Sequence, residues 1–301
     1  MTNAIETRHL NYRVGSSFEI PSLDLTVPRG AIYGFLGPNG SGKTTTIRLI
    51  LGLLRARNGT IRVLDRSIPH DAPLVLASTG YVPEQPHLDP TLTVREALRF
   101  QAAFYPQWDQ AWAEELLAAF DLDERRLFGK LSKGQKGKLM MLLALAQRPE
   151  LLVLDEPTDG LDPVVRRDML AALLTYVSER GATVFISSHL VHELERICDW
   201  VGVMDQGRLV TELPMERFKN GIKRLVVTDA PADPIAPPFS LLSREKNGSS
   251  ETWLVRGWEP PMQSYFTAGG AALQRVVDLD LEDAFVELLR TFRTPRLKEV
   301  R

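Results

Sequence analysis

The sequence predicts an α/β fold: a mostly parallel sheet with antiparallel strands towards the N-terminus, a helical subdomain, and a small C-terminal α+β domain. Three observations carry this expectation. The apolar run Ala31–Leu36 leads through a glycine-rich turn into Thr44–Leu54, where Ile47, Ile50, Leu51 and Leu54 recur at helical spacing. Two more apolar runs, Leu151–Leu154 and Thr183–Ser187, enclose the helical stretch Val164–Arg180 with Gly181 as its C-cap. Strands that alternate with helices imply a parallel sheet. After about Asn220 the character changes to short strand patterns separated by prolines.

Taken in order, Phe18 to Val27 alternates apolar and polar residues, with Pro21 expected to break the strand near its start. Pro28-Arg29-Gly30 reads as a turn. Between Leu92 and Phe128 the pattern is mostly helical. Thr93 and Glu96 form a capping box for Val94–Phe104, Pro106 ends that helix, and Asp109 opens another through Phe120. Trp108 and Trp112, four residues apart, are expected on one face of it, as core packing or as a partner contact. Leu139–Gln147 reads as a helix closed by Pro149. Beyond Asn220, Ala230–Pro238 holds Pro231, Pro234, Pro237 and Pro238, which neither a helix nor a central strand tolerates. Strand patterns flank it at Lys223–Thr228, Phe239–Arg244, Glu251–Arg256 and Leu273–Asp278, with Asn247-Gly248 as a hairpin turn. Asp280 caps a last helix, Leu281–Phe292. The expected domains are 1–220, with a helical subdomain at about 88–147, and 221–301.

Composition narrows the function. The 301 residues carry 36 Lys+Arg against 38 Asp+Glu, a net charge of −2, which argues against general nucleic-acid binding. Cys198 is the single cysteine, so no intrachain disulfide forms and a reducing compartment is expected. The apolar stretches Leu139–Ala146 and Leu151–Leu154 are far below the ~18–20 residues of a helical membrane span. Met1–Leu10, with Glu6, Arg8 and His9, lacks the apolar core of a secretory signal. A soluble cytoplasmic protein is expected.

Chemistry concentrates in two places. Gly37-Pro38-Asn39-Gly40-Ser41-Gly42-Lys43-Thr44 fits G-x-x-x-x-G-K-[ST] between a strand and a helix, with Thr45 following. Gly40 and Gly42 free the backbone to turn its N–H groups inward as an anion nest, and the helix N-terminus adds partial positive charge. Lys43 reaches β- and γ-phosphates, and the Thr44 hydroxyl is a ligand for Mg²⁺. Leu151–Leu154 ends in Asp155-Glu156, one carboxylate suited to Mg²⁺ or its water shell and the next to polarising a water. Ser132 and Gly134 at a helix start form a second anion site.

Leu131-Ser132-Lys133-Gly134-Gln135, about 20 residues before Asp155, resembles the L-S-G-G-Q signature of ATP-binding cassette (ABC) proteins. Glu156-Pro157-Thr158-Asp159-Gly160-Leu161-Asp162-Pro163 is similar to the family's D-loop region, and Ser187-Ser188-His189 to its switch histidine. The resemblance spans roughly residues 5–215 and implies a P-loop NTPase fold with ATP and Mg²⁺ as cofactors. It implies a head-to-tail dimer, as a homodimer or with a second ATPase subunit. The phosphate loop from Gly37 to Thr45 would hold ATP, with Thr44 and Asp155 at the metal. Glu156 would orient the water and His189 contact the γ-phosphate. Ser132, Gly134 and Gln135 would reach the nucleotide of the other copy, and Asp162 would couple the two sites.

Three positions depart from the pattern. Val14 stands where the stacking aromatic belongs, with Tyr12 two residues earlier. Glu84, a carboxylate able to ligate Mg²⁺, replaces a glutamine, with Gln85 next; Lys133 replaces a glycine. His9, His70, His87 and His192 read as surface or packing residues. Asp280–Phe285 resembles the end of cassette ATPases from multidrug and antibiotic exporters. The expectation is an ATPase subunit that powers a separate integral-membrane transporter subunit, peripheral on the inner face of the cell membrane. The alternative is a non-transport cassette protein acting on nucleic acid or a regulatory protein; a P-loop kinase or GTPase lacks the signature.

Overall fold

The structure is a computed structural model that describes residues 2–15, 17–231 and 237–293. The chain opens with β1 (Asn3–Val14) and β2 (Phe18–Pro28), which pair antiparallel. Pro21 does not interrupt β2. That strand lies at the edge of its sheet, where the missing N–H leaves no ladder bond unmade, and the Pro21 carbonyl accepts from Asn11 Nδ2. The fully buried β3 (Ile32–Leu36) runs into the glycine-rich turn and α1 (Lys43–Ile50). This helix is shorter than its apolar spacing suggests, because Gly52 takes φ 72° and turns the chain away.

β4 (Asn58–Val63) and β5 (Arg66–Ile68) complete a sheet of order β2-β1-β4-β5. After α2 (Ala72–Ala77) and β6 (Thr79–Val82) come three helices: α3 (Val94–Ala102), α4 (Gln110–Ala119) and α5 (Lys133–Ala146). The Thr93/Glu96 capping box is present, and Asp109 caps α4 through the Trp112 N–H at 3.0 Å. Trp108 therefore precedes the helix, so it does not share a face with Trp112, and its indole N–H donates to Gln110. Helix α5 starts six residues before its apolar run. A Ser132/Gln135 capping box offsets the weak helix propensity of Gly134 and Gly137.

β7 (Leu151–Asp155), α6 (Pro163–Arg180) and β8 (Thr183–Ser188) follow, with Gly181 at φ 65° closing α6. Past α7 (Val191–Leu194), β9 (Trp200–Asp205) and β10 (Arg208–Pro214) complete the second sheet. Its order is β10-β9-β3-β8-β7-β6, and β9, β3, β8, β7 and β6 run parallel. Strands β3, β7 and β8 are buried along their whole length, as a sheet covered on both faces requires. Tyr33, Phe35 and Phe185 stack in this core with centroids 5.1–5.5 Å apart. Because the strands are parallel, β3, β7 and β8 deliver their C-terminal ends, and the loops beyond them, to one edge.

Two compact units emerge: Met1–Leu190 with Ile197–Glu212, and Val191–Arg196 with Leu213–Arg301. The second holds α8 (Met215–Gly221), β11 (Ile222–Thr228), β12 (Ser240–Asn247), β13 (Ser250–Arg256), α9 (Ser264–Ala268), β14 (Ala272–Asp278) and α10 (Leu281–Arg293). Its antiparallel sheet has the order β12-β13-β11-β14, and the hairpin turns at Asn247–Ser250 with Gly248 at φ 62°. Trp253, Phe239 and Phe266 form the core, and Asp280 Oδ1 caps α10 by accepting the Asp283 N–H at 2.7 Å. Pro234 lies outside the described residues. Among the described residues no helix is long and apolar enough to cross a membrane.

Candidate functional site

The site assembles where β3, β7 and β8 end. Beyond β3 the loop from Gly37 closes over the start of α1. Gly42 takes φ 113°, and a methyl carbon there would come within 2.7 Å of Phe18 Cζ and 2.8 Å of Met204 Cε. Gly37 is as confined: a Cβ would lie 2.3 Å from the Met204 carbonyl oxygen. Only glycine serves at either position. No side chain caps α1, so its leading N–H groups face the loop with their partial positive charge unspent. The Ser41 hydroxyl is buried and has no hydrogen-bond partner among the described residues.

Lys43 is held inside this loop. Its ammonium donates to the Gly37 carbonyl at 2.6 Å and pairs with Glu156 Oε1 at 3.1 Å, the two side chains being 6% and 9% exposed. Glu156 Oε2 meets His189 Nδ1 at 2.9 Å, and His189 Nε2 lies 3.8 Å from Asp159 Oδ1. Asp159 Oδ2 in turn pairs with Lys133 at 3.3 Å. A chain of polar contacts thus runs from the phosphate loop to the start of α5.

Asp155, one residue earlier, is tied to the neighbouring strand β8 and to helix α1. Its Oδ1 accepts from Ser187 Oγ at 2.7 Å and from Thr44 Oγ1 at 3.2 Å. Burial raises its pKa above the ordinary carboxylate value; the Ser187 and Thr44 hydrogen bonds oppose the rise and the neighbouring Glu156 adds to it. Oδ2 is buried and accepts no hydrogen bond from the described residues. Ser187 also receives the Glu156 N–H at its Oγ, 3.0 Å away, which fixes a backbone held at φ 47°. One hydroxyl therefore orients both carboxylate residues. Strand alternation gave no signal for that bridge.

The residues expected to form a second anion site line a cavity of about 480 Å³, with Ser132, Lys133, Gly134, Gln135, Asp162 and Val165 among its walls. Ser132 and Gln135 are engaged in capping α5, and Asp162 caps α6 by accepting the N–H groups of Val164 and Val165 at 3.0 Å each. Glu84, the other metal candidate, is exposed in the loop after β6 and makes no hydrogen bond with Thr44.

Comparison with known proteins decides what this arrangement belongs to. Residues 20–159 match the ABC transporter family model. A bacitracin transport ATP-binding protein, BcrA, of Bacillus licheniformis is 38% identical over 221 residues, covering 73% of this chain and 72% of that protein. The chain belongs to the ABC transporter family. A Nod factor export ATP-binding protein I of Cupriavidus metallidurans is 33% identical over 299 residues, or 96% of this chain and 98% of that protein. The structure of an ATP-binding subunit of an ABC transporter superposes with TM-score 0.65 and 28% identity, covering 72% of this chain and 92% of that one. A dimeric cassette in a post-hydrolysis state with ADP and Pi, 21% identical with TM-score 0.63, covers 70% of this chain and 98% of that one and shares the fold. The chain is an ATP-binding ABC subunit on the P-loop NTPase fold, and its ATPase activity is coupled to transport.

Within that ABC frame, the positions expected to stack on the base separate. Val14 ends β1 at 49% exposure, opposite Phe18 in the β1–β2 ladder, whereas Tyr12 packs partly on the hydrophobic core. Phe18, which the spacing did not single out, is the aromatic against Gly42.

Proposed function

We propose that this chain binds ATP-Mg²⁺ through Gly37–Thr45, closes on a second ATPase subunit, and powers an integral-membrane partner, in the direction of export. The observation that carries the reading is the Thr44–Asp155 contact at 3.2 Å beside the Lys43–Glu156–His189 group, which supports phosphate, cation and water chemistry by these residues at one sheet edge. The residues fit a divalent cation. A buried carboxylate oxygen without a partner adjoins the Thr44 hydroxyl, and Mg²⁺ is usually held by one or two carboxylates together with substrate phosphates. Thr44 and Asp155 would hold it, and when bound it would neutralise charge developing on the transferred phosphate.

In this reading the loop N–H groups and Lys43 grip the phosphates. Glu156 orients the attacking water and accepts its proton, and His189 bridges that carboxylate to the γ-phosphate. Ser132, Gly134 and Gln135 present their helix start to the nucleotide of the second subunit, with Asp162 at the boundary between the sites. Transport is supported by the bacitracin transport relative, and export by the Nod factor export relative, matched along nearly its whole length. The membrane partner would hold the chain at the inner face of the cell membrane. Purification of the tagged chain from native membranes in mild detergent should recover a polytopic protein in fixed stoichiometry; recovery without one overturns the transport partner.

Phe18 supplies the aromatic contact for the base in place of residue 14. Phe18→Ala is expected to raise the KM for ATP by about tenfold with kcat nearly unchanged, as loss of ~1–3 kcal/mol of stacking predicts. A KM that stays at the wild-type value assigns the base contact elsewhere.

A further inference from the structure

Lys133 is an unexpected residue in an unfavourable place. It occupies the first helical position of α5, where the partial positive charge of the helix disfavours a cation. Its side chain bends over Gly160, where a Cβ would lie 2.5 Å from the ammonium, and pairs with Asp159 at 3.3 Å. Both partners remain exposed, at 62% and 44%, and an exposed pair of this kind contributes little and is easily exchanged. The other lysine lining the same cavity, Lys138, is committed: it is nearly buried and bound to Asp168 at 2.8 Å. Lys133 is therefore the releasable cation beside the Ser132–Gly134 anion site.

We infer that Lys133 is a phosphate-binding cation for the ATP held by the second subunit, and that Asp159 restrains it in the single chain until that phosphate draws it away. This rests on the nucleotide-sandwich reading given above. An ammonium–phosphate contact is charge-assisted and excluded from water inside a closed dimer, so it outcompetes the exposed carboxylate. Asp159 is then a positioning residue. Its removal should favour closure, while removal of Lys133 should oppose it. Because Asp159 also stands 3.8 Å from His189 Nε2, withdrawal of Lys133 leaves that carboxylate facing the histidine of its own site. Engagement of one nucleotide is thereby communicated to the other.

The test is ATP titration of dimerisation by sedimentation velocity, with the full chain carrying Glu156→Gln to prevent turnover. Adding Lys133→Gly should raise the ATP midpoint by about tenfold, the scale of one lost charge-assisted contact. Lys133→Gln should do the same and guards against a helix-start defect peculiar to glycine. Asp159→Asn should lower the midpoint by about threefold, the scale of an exposed pair. In the double variant Lys133→Gly/Asp159→Asn, the gain from Asp159→Asn should vanish. Unchanged midpoints for both Lys133 variants overturn the inference, as does an Asp159→Asn effect that persists without Lys133. If the Glu156→Gln parent itself stays monomeric at saturating ATP, the sandwich reading falls and the inference with it.

Discussion

Glu156→Gln is expected to bind ATP as the wild type does while steady-state hydrolysis falls by about 10²–10⁴-fold, the usual contribution of a positioned general base. The amide keeps the shape of the side chain and can still accept a hydrogen bond from Lys43 or His189, which now stand 3.1 and 2.9 Å from its two oxygens. It cannot take a proton from water. The fold should tolerate the change, since glutamine occupies the same backbone position as glutamate and the Ser187 hydroxyl still receives the residue 156 N–H. Phosphate release measured at saturating ATP checks the rate, and equilibrium binding of a fluorescent ATP analogue checks the affinity. Hydrolysis at the wild-type rate would remove Glu156 from the water-orienting role.

Lys43→Ala should lose tight phosphate binding and also destabilise the free chain. Breaking a buried ion pair from one side typically costs about 3–5 kcal/mol, because the remaining charge is stranded. Here His189 stays within 2.9 Å of Glu156, so the lower end of that range, about 3 kcal/mol, is expected. Lys43→Ala/Glu156→Gln should recover part of the loss, since no stranded carboxylate remains. Urea midpoints of the two single variants and the double variant measure this coupling. Strict additivity would show that the Lys43–Glu156 pair does not exist in the free protein. The same pair means that ATP must draw Lys43 away from a partner it already has, and that ADP, lacking the third phosphate, leaves Glu156 better able to reclaim it.

Much of the first unit was legible because local and global signals agree there. The run Ala31–Leu36, the glycines at positions 37, 40 and 42, and the carboxylates after Leu154 each specify a strand end or a turn by themselves. Helices α3 and α4 were readable from Thr93, Glu96 and Asp109, whose side chains make the caps their spacing implies. The misreadings arose where a long-range partner decides the outcome. Pro21 survives in a strand because that strand is an edge, which only the sheet order reveals. The start of α5 was hidden by two glycines, although Ser132 and Gln135 spell a capping box. Phe18, Ser187 and Asp159 acquire their roles from contacts far along the chain, between 24 and 32 residues away, that no local periodicity encodes.

The backbone at Glu156, with its left-handed φ of 47°, carries a further consequence. A side chain of this kind holds such a conformation at a cost that glycine or asparagine would reduce. Asp155 beside it has a pKa raised by burial, so the stability it contributes is lost as pH rises through that raised value. Two adjacent positions therefore trade stability for chemistry. A laboratory selection for thermal tolerance alone would drift towards uncharged or more permissive residues at 155 and 156, yielding hardier proteins with a disabled engine. Any effort to stabilise this chain should exempt those two positions.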